Sequence, residues 1–366
     1  MDKFQADCLP VLIGSLPMNN HAEAARLVFK YTPEIPLWIQ LPVYKEEGML
    51  AQFLPGMPGF TIEKDKAFIN VSSKNFDDDL LRFYEDYMSV VEQKSDLLSS
   101  RFAMTKDTGM GFFEFMNQLN GLSDFPCAVK GQITGPVTFG IGVCDQDGRA
   151  IFYNEQLRDA AVKLLSLRAA WQVRQLSKFG RPAMIFFDEP ALAGFGSSAF
   201  ISISRDEISS CFEEVIEAVH SEGGLAGIHV CANADWSLVL QSSVDIVSFD
   251  AYSFFDRFIL YPDQIRKFID SGRIFAWGIV PTSSPIDIEK ETTDSLVANW
   301  QDKVCKIEKL GIDKSNIFKQ SLITPSCGTG SLTFDHAKKV LRLTREVSDR
   351  LRSINFRNHS ATDSHR

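Results

Sequence analysis

Three short stretches, far apart in the chain, carry residue types that bind a borderline-soft cation: His229-Val230-Cys231, then Asp250, then Cys327. His229 and Cys231 are separated by one residue and close the apolar run Leu225-Ala226-Gly227-Ile228. On an extended strand, residues two apart point to the same face, so an imidazole and a thiolate can address one ion. Asp250 ends the next apolar run, which begins at Asp245, and Cys327 follows the last one, Leu322-Ile323-Thr324-Pro325-Ser326. A histidine, a pair of cysteines and a carboxylate suit tetrahedral zinc. Zinc held by thiolates can bind a thiol substrate and keep it deprotonated at neutral pH, well below the usual thiol pKa of about 8.5. The same residues have plainer readings. His229 could be a hydrogen-bonded core histidine, Cys231 and Cys327 small buried hydrophobes, and Asp250 a strand-end cap.

For these groups to meet, the fold must gather strand ends. The chain alternates short apolar runs with longer amphipathic helical patterns. Strands are predicted at Val11 to Leu16, Leu37 to Leu41, Ala128 to Ile133, Ala183 to Phe187, Leu225 to Val230, Asp245 to Phe249, Ile274 to Val280 and Gln320 to Thr324. Each is nearly continuously apolar, as parallel strands buried on both faces are. Helical patterns lie between them, for example over Asn154 to Phe179, Asp206 to Ser221 and Leu296 to Leu310, with a last helix from about Phe334 to Leu351. This alternation predicts an α/β fold, a (β/α)8 TIM barrel, with an open doubly wound sheet as the alternative. The stretch 52–125 is too long for a simple crossover and reads as a helical insertion after strand two. Residues 1–352 then make a single barrel domain including that insertion, and the polar segment 353–366 a flexible tail.

In a barrel the C-terminal strand ends converge on one mouth. Here they carry Gly14-Ser15-Leu16-Pro17, Thr134-Gly135-Pro136, Asp188-Glu189-Pro190, His229 and Cys231, Asp250, Pro281-Thr282-Ser283-Ser284, and Cys327-Gly328. Pro190 at a helix start gives Glu189 a capping role. Phe254, Phe255 and Phe258 read as core, with a pocket-lining role as the alternative.

The chain has 366 residues, 45% of them hydrophobic, which is enough for a large α/β core. Its formal net charge of −9 and the lack of a Lys/Arg run give no footprint for nucleic acid. The polar start, Met1-Asp2-Lys3-Phe4-Gln5, does not read as a signal peptide, and no apolar stretch is long enough to span a membrane, so a cytoplasmic protein is expected. Seven scattered cysteines argue against a disulfide framework. Cys211 and Cys305 sit in helical patterns and are expected to be buried; Cys127 and Cys144 flank a strand and read as structural.

In this order, Ile13-Gly14-Ser15, Thr134-Gly135-Pro136-Val137-Thr138, Asp188-Glu189-Pro190-Ala191-Leu192, His229-x-Cys231 and Cys327-Gly328 resemble the catalytic domain of the cobalamin-independent methionine synthases. That family lies in a barrel superfamily shared with uroporphyrinogen decarboxylase and the corrinoid-dependent thiol methyltransferases. The resemblance runs from about Val11 to Leu351. It implies a zinc ion on His229, Cys231 and Cys327, with Asp250 standing where the synthases use a glutamate one methylene longer. It also implies methyl transfer to a small thiol, homocysteine in the synthases. Ser15 and Asp188 match positions that hold the amino-acid substrate, Asp188 by pairing with its ammonium group, so Asp188 and Asp250 are the expected catalytic carboxylates.

The departures concern the methyl donor. The loop after the seventh strand, Pro281-Thr282-Ser283-Ser284-Pro285, lacks the histidine acid of the synthases, and Phe139-Gly140-Ile141 follows Thr138 without their folate-stacking tryptophan. The second acidic contact to the substrate amine has no clear counterpart, although Glu46 and Glu47 are near. A methyl-corrinoid protein, which needs neither acid nor platform, becomes the expected donor. The alternatives are a metal-free uroporphyrinogen decarboxylase-like enzyme, for which no early arginine cluster is present, and a non-catalytic, zinc-stabilised barrel that binds a corrinoid partner.

Overall fold

The structure is a computed structural model that describes residues 4–64, 66–195 and 202–363. Seven parallel strands form one curled sheet: β1 (Leu9–Pro10), β4 (Val129–Thr134), β5 (Ala183–Asp188), β6 (Leu225–Val230), β7 (Ile246–Phe249), β8 (Ile274–Val280) and β9 (Ser321–Pro325). Their order is β1-β9-β8-β7-β6-β5-β4. The remaining pair, β2 (Phe60–Glu63) and β3 (Lys66–Ile69), is an antiparallel hairpin in the insertion.

The expected eight-stranded closed barrel is therefore corrected to a partial, TIM-like one. The segment expected as the second strand, Leu37 to Leu41, meets the sheet edges only through the isolated bridges Ser15↔Gln40 and Leu37↔Lys130. Proline explains the short pairing. Pro10, Pro36 and Pro42 each lack the N–H that a ladder needs. What remains is a few bonds, such as Gln40 N–H to Gly14 O at 3.1 Å and Lys130 N–H to Pro36 O at 2.9 Å.

Alternation along the strands sorts the side chains. On β4, Val129 and Ile133 join the large core beneath the helices. Gly131 lets the helix Glu155–Leu176 come close, since a Cβ there would lie 2.4 Å from Gln172 Oε1. The residues between them turn to the sheet interior. Below the mouth that interior is apolar, built from Leu9, Val11, Met184, Phe186, Ile246 and Leu322 among others.

The insertion holds the helices Phe76–Val91 and Lys106–Asn120, consistent with its helical reading, together with the hairpin, which the apolar pattern did not announce. The last helix runs Phe334–Asp363, past its expected end near Leu351 and through most of the segment expected as a tail. Residues 364–366 lie outside the described residues. The same helix meets the other end of the chain: Ser348 Oγ donates to Cys8 O at 2.7 Å, and Arg345 grips Glu34 with paired bonds of 2.8 and 2.9 Å. No helix among the described residues is long and apolar enough to cross a membrane.

Candidate metal centre

Register builds the centre. Asp188 of β5 stands opposite His229 of β6, and His229 opposite Ser248 of β7. All three are buried at one level near the C-terminal strand ends. Cys231 lies just beyond β6 and Cys327 just beyond β9. A ring nitrogen of His229 and the Sγ atoms of Cys231 and Cys327 lie within 4.8 Å of one another. Gly278 of β8 permits this convergence. A Cβ there would stand 2.6 Å from Phe249 O and 2.8 Å from Ser326 Cα, so a side chain would wedge the neighbouring strand ends apart.

His229 Nδ1 is 2.9 Å from Ser248 Oγ, while its buried Nε2 has no hydrogen-bond partner. A buried polar atom without a partner costs free energy, and a ring fixed through one nitrogen with the other free is the pose of a metal ligand. The core-histidine reading accounts for Nδ1 and leaves Nε2 unexplained. With two sulfurs within 4.8 Å of a nitrogen of this ring, the donor set fits zinc.

Hydrogen bonding from Cys327 and the neighbouring His229 pull the Cys231 thiol down to about 4, against the desolvation of burial. Cys327, donating to that thiolate and itself buried, moves well above the ordinary thiol range.

Asp250 is outside the trio. It is the N-cap of the helix Ala251–Phe258, its Oδ1 accepting from Ser253 N–H at 2.8 Å. Burial raises its pKa, with the Ser253 backbone N–H opposing.

Asp188 faces the same space with one buried oxygen, Oδ1, left without a partner. Burial pushes its carboxyl up to about 6, against the pull of His229 and Lys130. Beneath it, fully buried Lys130 donates to Ile13 O at 2.8 Å and lies 4.5 Å from the centre of the Phe186 ring. Desolvation brings Lys130 down to about 8.

A cavity of about 400 Å³ opens above these groups, walled by Ser15, Gln40, Glu47, Asp188, His229, Cys231 and Cys327, with no Lys or Arg in its lining. Ser15 Oγ accepts from Gly330 N–H at 3.1 Å, and Ser15 O from Thr329 N–H at 3.0 Å. Gly328 makes room for it, since a Cβ there would meet Ser15 Oγ at 2.3 Å. Glu47 is engaged at both oxygens, by His21 Nε2 at 2.6 Å and by Leu41 N–H at 2.8 Å.

Several expectations change. Glu189 caps not the short helix that follows it but the helix Pro136–Gly142, accepting from Val137 N–H at 2.9 Å and Thr138 N–H at 2.8 Å. Burial lifts its carboxyl to about 7. Phe255 and Phe258 are core residues, as expected, stacked on Trp277 and Phe249. Cys211 is buried as expected, whereas Cys305 is exposed. Ser248 and Lys130 are buried polar neighbours of these groups that the motif reading passed over. Their signal is a polar residue inside an otherwise apolar strand.

No protein family matches the chain, and no curated protein does. Among solved structures, the chain is similar to a B12-independent methionine synthase from Shewanella sp. W3-18-1 in complex with selenomethionine, at 17% identity over 66% of this chain and 67% of that one, with a TM-score of 0.46. It is also similar to a modular endo-β-1,4-mannanase from Cellulomonas fimi, at 13% identity over 57% of this chain and 59% of that one, with a TM-score of 0.22. Likenesses this slight say nothing of the chemistry, which rests on the side chains themselves.

Proposed function

We propose that the protein is a zinc-dependent methyltransferase acting on a small thiol, homocysteine being favoured, with a methyl-corrinoid protein as donor. One observation carries the reading: His229, whose buried Nε2 has no hydrogen-bond partner, brings a ring nitrogen within 4.8 Å of two cysteine sulfurs on the wall of a cavity. His229, Cys231 and Cys327 would hold the ion, which when bound keeps a substrate sulfur deprotonated at neutral pH.

The chain's own residues supply the rest. Ser248 fixes the His229 ring through Nδ1. Asp188 offers its open oxygen to an ammonium group on the substrate, and Ser15 shapes the wall beside Cys327. Sinking the substrate sulfur to the cavity floor strips it of water and aims it out of the mouth, the positioning part of catalysis. The sulfur's electron pair forms the new S–C bond as the donor departs with the pair of the bond that breaks.

The loop after β8 supports this choice of donor. Thr282 Oγ1 and Ser326 Oγ are 2.9 Å apart, and Ser284 caps the helix Pro285–Lys290. These residues are committed to structure and offer no acid to a folate leaving group. A decarboxylase gripping polycarboxylates needs cations, and the cavity lining has none.

The test combines metal analysis with a labelled-methyl transfer screen across donors and thiols. The expected result is stoichiometric zinc, a change in its sulfur coordination on adding homocysteine, and methyl transfer from a methyl-corrinoid but not from methyltetrahydrofolate alone. A zinc-free, inactive protein after reconstitution overturns the reading; turnover with folate alone overturns the donor assignment.

A further inference from the structure

Gln40 and Gln52 form a relay at the cavity wall. Gln52 is buried and donates through Nε2 to the carbonyl of Thr108, on the helix Lys106–Asn120 of the insertion. A carbonyl only accepts, so the Gln52 nitrogen must face it and the Gln52 oxygen must face the other way. That oxygen takes the second link, from Gln40 Nε2 at 2.7 Å. The direction of the chain is thus set by chemistry at its far end, which removes the usual ambiguity of an amide flip. Gln40 is left with Oε1, which has no donor among the described residues. The space beside it is kept open by Gly14, where a Cβ would stand 3.1 Å from Oε1 and where the backbone φ is +155°.

The free acceptors of the cavity can be counted. Glu47 is engaged at both oxygens by His21 and Leu41. Of the carboxylate and amide acceptors, the Asp188 carboxylate, with Oδ1 unpartnered, and Gln40 Oε1 remain, on a wall whose described residues include no Lys or Arg. The nearest cation, Lys130, is buried beneath Asp188 and donates to Ile13 O, so on the cavity side these acceptors are complementary to a ligand group that donates.

Resting on the thiol methyltransferase reading above, we propose that Gln40 is a specificity-determining residue, its Oε1 accepting an N–H from the protonated amine of the substrate thiol alongside Asp188, and that Gln52 is the positioning residue that turns Oε1 toward it. A carboxylate paired with a neutral amide holds the ammonium group without burying a second charge. The insertion, through Gln52 and Thr108, thereby selects amine-bearing thiols over thiols that lack the amine.

The experiment is calorimetric binding of homocysteine and of its des-amino analogue, γ-mercaptobutyrate, to the full zinc-loaded chain. Gln40→Leu is expected to weaken homocysteine about tenfold, the loss of one hydrogen bond to a charged group, and to leave mercaptobutyrate unchanged. Gln52→Leu is expected to do the same. Gln52→Glu, protonated where it is buried against the Thr108 carbonyl, donates its O–H there and keeps its other oxygen toward Gln40 Nε2, so it is expected to restore most of the discrimination. Equal weakening of both thiols, or a Gln52→Glu variant no better than Gln52→Leu, overturns the assignment. Zinc content and circular dichroism confirm folding in each case, and the comparison of the two Gln52 variants stands even where Gln40→Leu does not fold. Failure of the wild-type chain to bind either thiol sinks the underlying reading instead.

Discussion

Ser248→Ala isolates the support of the metal centre from its ligands. Ser248 is fully buried on β7, and the substitution removes one oxygen while leaving the strand and its packing in place. In the metal-free variant, the imidazole proton of His229 can shift to Nε2, toward the Cys231 sulfur. A metal on Nε2 forces that proton back to Nδ1, where the Ser248 hydroxyl at 2.9 Å is gone. The cost of an unpaired buried N–H, about 1–3 kcal/mol, then falls almost wholly on the metal-bound state. At roughly 1.4 kcal/mol per tenfold, zinc affinity should drop by about five- to 150-fold, overlapping the range of about 10- to 100-fold typical of partners behind metal-binding histidines. Competition against a chromophoric chelator at neutral pH measures this directly. Ser248→Thr keeps the hydroxyl and should bind zinc nearly as the wild type does. An Ser248→Ala affinity within about twofold of wild type would show that Nε2 is not the ligand atom.

Three further outcomes are expected. Cys231→Ala should lose stoichiometric zinc on dialysis while keeping its far-ultraviolet circular dichroism, because Cys231 lies beyond the end of β6 and carries no ladder bond of the strand. Asp188 must be ionised to hold an ammonium group, and its carboxyl sits at about 6. Below that value protons compete with the substrate, so KM for an amine-bearing thiol should rise about tenfold per pH unit while KM for a des-amino thiol stays flat. Gly278→Ala should destabilise the fold by about 1–3 kcal/mol in urea titration, since the added methyl meets backbone rather than a yielding side chain.

The sheet was legible where the strands are apolar. The predicted bounds at Leu225 to Val230 and Ile274 to Val280 coincide with β6 and β8 because buried parallel strands leave no other reading of such runs. The first strand was expected too late, at Val11 to Leu16 rather than Leu9–Pro10, and the second was overestimated for a local reason: prolines remove donors without lowering hydrophobicity, so the pattern of Leu37 to Leu41 looks like a strand that its hydrogen bonds do not complete. The hairpin β2–β3 escaped because its residues are largely exposed and lack an apolar face. At the centre, His229, Cys231 and Cys327 were readable from residue type and strand-end position alone. Asp250 shows the limit of that approach. A carboxylate after a strand serves a helix N-terminus as readily as a cation, and only coordinates show which N–H it accepts. Gln52 could not be found from sequence at all, since nothing local marks a glutamine whose partner is twelve positions away on another element.

The pairing of β1 with β9 sets the order of assembly. Leu9 and Pro10 find their neighbours at Leu322 and Ile323, and Ser348 closes on Cys8 across 340 positions of the chain. During synthesis, Leu9 and Pro10 must therefore wait unpaired until Leu322 and Ile323 have been made. The apolar residues Leu9, Val11, Leu12 and Ile13 are exposed to mispairing for that whole interval. Cys327 lies two residues past β9, so its thiol joins the His229 and Cys231 donors only as this same pairing closes.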